Sequence, residues 1–108
     1  MQSTTIIQVQ KWSQSDSPTE EILWNMMERE GFAPFRWTNN PHDVYMAHDH
    51  PYHKIIYVIS GSITFGFPIE GEPITLHPGD RLELPAHLIH NAAVGDSGVI
   101  CLEAHRYG

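Results

Sequence analysis

His48, Asp49 and His50 set two imidazoles two residues apart, and in an extended segment residues at that spacing share one face of a strand. His90 stands far along the chain behind Pro78-Gly79 and Pro85. A distant strand that brings it to the same face completes a pocket of three imidazoles. Three neutral ring nitrogens suit Zn, Ni, Cu or Fe(II) without choosing among them. The chemistry implied is a divalent metal held in a small β-barrel. By strand parity Asp49 is expected on the opposite, solvent side.

The remaining pattern is one of short strands. Ile6–Val9 reads as a first strand, and the segments 32–37, 44–48, 55–59, 63–67, 74–76, 81–84, 91–94 and 99–103 alternate or run apolar. Ser60-Gly61, Glu70-Gly71-Glu72-Pro73, His77-Pro78-Gly79-Asp80 and Gly95-Asp96-Ser97-Gly98 read as the turns between them. Many short strands with Gly/Pro punctuation mean a sandwich or a closed barrel. One helix interrupts them. Ser17-Pro18-Thr19-Glu20 has the form of a capping box with proline at the first helical position, so a helix is expected over 18–30. Ile22, Leu23, Met26 and Met27 form its apolar stripe, and Gly31 ends it in a left-handed cap.

A chain of 108 residues fits one domain, here an N-terminal strand and helix (1–31) and a barrel (32–108). Lys and Arg total 6 against 13 Asp and Glu, a net charge of -7, with no basic cluster. That balance argues against a nucleic-acid or anionic-membrane partner. Cys101 is alone, so an internal disulfide is excluded. No apolar run approaches a membrane span and the first residues lack the form of a secretory signal, so a cytoplasmic protein is expected. The short first strand is well placed to pair with a neighbouring barrel's edge, which predicts a two-fold homodimer.

From Val44 to Val94 the chain resembles the cupin superfamily of double-stranded β-helix, or jelly-roll, barrels. Its first motif is matched by His48, His50 and Gly61, with His42 in the place of the leading glycine and Lys54 in the place of a glutamate. Its second is matched by Gly79, Pro85 and His90, with His87 in a glycine position and Val94 in an asparagine position. The resemblance implies an all-β cupin barrel with one short N-terminal helix. It also implies a mononuclear site for Fe, Mn, Ni, Cu or Zn, with positions open to a small-molecule ligand.

The departure at Lys54 bears most on function. Like unit charges ~4 Å apart at an effective dielectric of ~20 repel by roughly 4 kcal/mol, and a dication doubles that. Lys54 therefore turns its amine outward, becomes neutral, or marks a site without metal. The expected ligands are His48, His50 and His90, with His53 as a fourth if a one-residue shift turns it inward. Glu103 or His105 on the last strand, or water, are the alternatives. Lys54, Glu103, His87 and Tyr52 are expected around the pocket, whereas His42 and His77 belong to solvent. Trp37, Tyr45 and Tyr57 are candidates for either cavity or core, and Phe65 and Phe67 for packing. If the chain is an enzyme, the resemblance points to a metal-dependent dioxygenase or isomerase. The competing reading is a non-enzymatic sensor or binding module, without metal if Lys54 records its loss.

Overall fold

The computed structural model describes residues 7–69 and 71–107. In chain order they form β1 (Gln8–Gln10), α1 (Glu20–Arg29), β2 (Phe35–Asn39), β3 (Val44–His48), β4 (His53–Phe67), β5 (Gly71–Leu76), β6 (Arg81–Leu84) and β7 (His90–Arg106). The strands make one antiparallel seven-stranded sheet in the order β1-β6-β4-β7-β2, with β3 on β7 and β5 on β4. It wraps into a jelly-roll barrel, the expected fold class. Among the described residues no helix is long and apolar enough to cross a membrane.

Two expected turns are absent. Ser60-Gly61 and Gly95–Gly98 lie inside the long strands β4 and β7, which pair with each other from His53↔Arg106 to Gly66↔Asn91. What the sequence shows as breaks are bulges. Ile59 is an extra residue on β4 between Val58↔Cys101 and Ser60↔Ile100, and Gly95–Gly98 on β7 face the single Ser62 between paired Val94 and Val99. The first bulge switches parity on β4, so that Ile56 and Val58 before it and Ile63, Phe65 and Phe67 after it enter one barrel core, and the second does the same on β7 for Ala92 and Val94 against Val99 and Cys101. Gly61 (φ +78) is required there, because a Cβ would lie 2.0 Å from the Gly98 carbonyl oxygen.

Strand parity divides the apolar residues into two cores. Val58, Ile63, Phe65, Leu76, Leu82, Leu84, Val94 and Cys101 fill the barrel. Ile55, Tyr57, Leu102 and Ala104 face outward and are covered by Leu23 and Met27 of α1, both fully buried. Burying each such helix side chain contributes about 1.5–3 kcal/mol. Tyr57 is thus core on the outer face, not cavity lining.

The helix begins later than expected. Thr19, not Ser17, is the cap, with extended backbone and its hydroxyl accepting from the Ile22 N–H at 3.2 Å. Pro18 precedes the cap instead of opening the helix, and Glu20 and Glu21 complement the dipole of the first turn. The left-handed stop at Gly31 (φ +90) is present, with Gly31 N–H donating to Glu28 and Phe32 N–H to Met27.

β1 pairs with β6 of its own chain and stands at the edge of the sheet, and Ile6 of the expected strand lies outside the described residues. Asp80 holds the incoming segment: its carboxylate accepts from Trp12 N–H, His77 N–H and Lys11 Nζ at 2.8–2.9 Å. Burial alone would push this carboxyl up, but those donors together hold it below the usual carboxylate range.

Candidate metal centre

His48 ends β3 and lies directly opposite His90, which opens β7. An irregularity between Tyr45 and His48 switches parity, so both point into the barrel. His50 lies beyond the end of the strand, in the segment leading to Pro51, and not two residues along it as expected. Its carbonyl accepts from the His87 N–H at 2.6 Å, which ties this segment to the turn before β7. One ring nitrogen from each of His48, His50 and His90 lies within 4.8 Å of the others. The rings stand 4.6, 4.7 and 5.3 Å apart between centroids.

The hydrogen bonds fix the tautomers. His48 Nδ1–H donates to the Met46 carbonyl at 2.6 Å and His90 Nδ1–H to the Leu88 carbonyl at 2.9 Å, since a carbonyl only accepts. Lys54 Nζ donates to His50 Nε2 at 3.2 Å, leaving His50 Nδ1–H to donate to the Tyr52 hydroxyl at 3.2 Å. All three Nε2 atoms therefore carry lone pairs, that of His50 accepting from Lys54, which a metal would displace, and backbone carbonyls orient two of the rings as they do in metal sites. The His90 Nε2 is buried with no hydrogen-bond partner among the described residues. An acceptor left so costs about 1–3 kcal/mol, and a bound cation satisfies it.

Electrostatics favours the neutral form of two of the donors, the form that ligation requires. Burial, then Lys54 and the neighbouring imidazoles, push His50 down to about 4. Burial lowers His90 as well, outweighing the Leu88 hydrogen bond.

Lys54 points into the cavity, so the outward orientation is excluded. Its side chain is 12 % exposed, and Nζ lies 3.7 Å from the Glu103 Oε2. Burial pulls this ammonium below its usual range, while Glu103 acts the other way. Glu103, buried on β7 opposite Ile56, accepts from Trp37 Nε1 at 2.8 Å and from His105 Nε2 at 2.5 Å. The carboxylate absent from position 54 thus comes from the facing strand and offsets the lysine. With that offset, the donor set fits a divalent metal.

The other expected residues fall outside the cluster. His53 is adjacent to Lys54 and takes the opposite parity, so its Nε2 bonds Glu83 on the outer face at 2.7 Å. His87 occupies its glycine slot in a left-handed conformation (φ 68), which turns its ring to solvent, 71 % exposed and 3.8 Å from Asp49. His42 in the other glycine slot does the same (φ 67). His77 and Asp49 are exposed, as expected. Tyr52 stacks between His50 and His105, and burial followed by Glu103 pushes its phenol up. Cys101 is buried in the barrel core, and burial pushes its thiol up, so it stays protonated.

A cavity of about 270 Å³ opens beside the cluster. The sequence reading missed Phe35, Ile56, Ile63 and Ala92 in its wall and took Phe65 as packing alone, whereas Trp37 and Tyr45 had been candidates. Cross-strand register assembles this wall, as in Phe35↔Glu103 and Tyr45↔Ala92, and a single sequence does not display it.

The Cupin domain family matches residues 35–104, and the chain belongs to that family. A protein from Ralstonia eutropha JMP134, provisionally described as a mannose-6-phosphate isomerase, is 27% identical, with 77% of this chain and 81% of that one covered at a TM-score of 0.62. A cupin superfamily protein from Desulfitobacterium hafniense DCB-2 is 16% identical over 100% of this chain and 84% of that one, with a TM-score of 0.61. A polyketide cyclase from Streptomyces resistomycificus is 22% identical over 68% and 54%, with a TM-score of 0.58. Comparison with curated proteins gave no match.

Proposed function

We propose that this cupin holds one divalent transition metal on His48, His50 and His90 and binds a small organic molecule in the adjoining cavity. The observation that carries this reading is the buried His90 Nε2, without a partner among the described residues, beside the Nε2 lone pairs of His48 and His50. A metal bound there supplies Lewis-acid polarisation of a ligand oxygen. Glu103 lines the same cavity and, bonded to His105 behind it, is placed to exchange a proton with a ligand there. That pair favours isomerisation over dioxygenation, in keeping with the description of the 27% identical relative. The proposal includes a two-fold homodimer formed through β3, where Val44 and Met46 are 67% and 80% exposed. Light scattering should give twice the chain mass, and the mass of a single chain contradicts the dimer.

Calorimetric titration of chelator-stripped protein with Zn²⁺ or Ni²⁺ tests the metal reading. One binding event per chain is expected, abolished in His48→Ala. The same heat from wild type and variant overturns it.

A further inference from the structure

The lining of the cavity is divided. Trp37, Ile56, Ile63, Phe65 and Ala92 make an apolar wall, and Lys54 sets an ammonium at its edge beside the histidines. An ammonium carries three donors. Among the described residues Lys54 has one hydrogen-bond partner, His50 Nε2 at 3.2 Å. Glu103 pairs with the ammonium at 3.7 Å, longer than a direct hydrogen bond, and also accepts from Trp37 and His105. A buried ammonium with donors still open has room for a further anionic acceptor beside Glu103.

The rest of the wall says what the anion is attached to. The Trp37 N–H is taken by Glu103, and the Tyr45 hydroxyl donates to Asn39 at 2.5 Å. Little remains to hydrogen-bond a ring of hydroxyl groups, so the wall is unsuited to a sugar body. Its volume is roughly nine times the ~30 Å³ share of one liquid water. That admits a small ligand with one charged end.

We propose that the cavity takes a small monocarboxylate with a flat apolar body, its carboxylate held by Lys54 Nζ and its body laid against Trp37, Ile56, Ile63 and Phe65. The inference rests on the reading of this cavity as a ligand site, but not on the metal. Where a metal is present, the carboxylate lies between two cations and offsets their repulsion. The two ligands then strengthen each other's binding reciprocally.

Benzoate and its neutral analogue benzamide are the probes, titrated calorimetrically at neutral pH into full-length protein with chelator present. Benzoate is expected to bind, with benzamide about thirtyfold weaker. Lys54→Met should lose about thirtyfold for benzoate and nothing for benzamide, and Lys54→Arg should retain benzoate. Thermal melts establish that both variants fold. No benzoate binding, equal affinity for the two probes, an unchanged Lys54→Met, or tighter binding of a hexose phosphate each overturns the proposal. A zinc titration run alongside separates the two readings. Lys54-dependent benzoate binding without zinc binding upholds this inference and sinks the metal. Zinc binding without Lys54-dependent benzoate binding does the reverse.

Discussion

The strands β4, β6 and β7 carry two buried charge clusters, one on each face, and the two are built on opposite plans. On the outer face Arg81 is the hub. Its guanidinium donates to Glu83 and Glu30 at 2.6 Å each and lies over the Tyr57 ring, while His53 closes on Glu83 at 2.7 Å. Burial by itself would push the Glu83 carboxyl up, yet the Arg81 and His53 hydrogen bonds carry it down. On the inner face, among the described residues, Lys54 makes one hydrogen bond and a looser pair with Glu103 at 3.7 Å, and His90 Nε2 has no partner. Similar residue types, similarly buried, thus do different work. A closed circuit of charges fastens α1 to the sheet, and the open one is where the proposed metal and ligand would bind.

Breaking the closed circuit should have the largest effect. Arg81→Met leaves Glu30 and Glu83 without their shared cation, and urea unfolding should show a loss of about 3–5 kcal/mol. A loss below about 1 kcal/mol would mean that the outer cluster is ornamental. Breaking the inner cluster should cost function first. At metal about 100-fold above Kd, wild type should gain about 2.7 kcal/mol of stability and His90→Ala none, read as the shift in thermal unfolding. Equal shifts would dissociate His90 from the metal.

The inner cluster should also improve when it is made less charged. Lys54→Met removes the cation beside the histidines, so metal affinity should rise about tenfold. Unchanged metal affinity would place the Lys54 ammonium too far from the site to repel it. The smallest effect is a difference in pH window. His50 has a folded pKa below its ordinary 6.5, so the unfolded chain takes up that proton first, and metal-free stability should fall as pH drops from 6.5 towards about 4. Glu83 and Asp80 are depressed carboxylates, whose contribution is complete above the ordinary carboxylate range and is lost as pH falls below it. Melting temperatures from pH 7 to 3 should therefore decline in two stages, and a single acid step would contradict the separation.

Much of this was legible in the chain. His48, His50 and His90 were set out by spacing, the barrel by its alternating segments, and Gly31 by its place after the helix. What stayed hidden depends on parity and register. Ser60-Gly61 and Gly95–Gly98 look like turns because a bulge and a turn both interrupt alternation, and both recruit glycine. His53 was a candidate ligand because the parity of β4 was unknown, and once Lys54 faces inward His53 faces Glu83. Glu103 was named only as a residue that reaches the pocket. Its pairing with Lys54 depends on the β4–β7 register, which sequence-local reasoning does not contain.

The central claim is that three imidazole nitrogens surround one cation. X-ray absorption fine structure of the zinc-loaded protein measures this directly. A nitrogen shell at about 2.0–2.1 Å with the outer-ring scattering of three imidazoles is expected, completed by oxygen scatterers. A spectrum with one imidazole or none, or one unchanged in His90→Ala, would contradict the account.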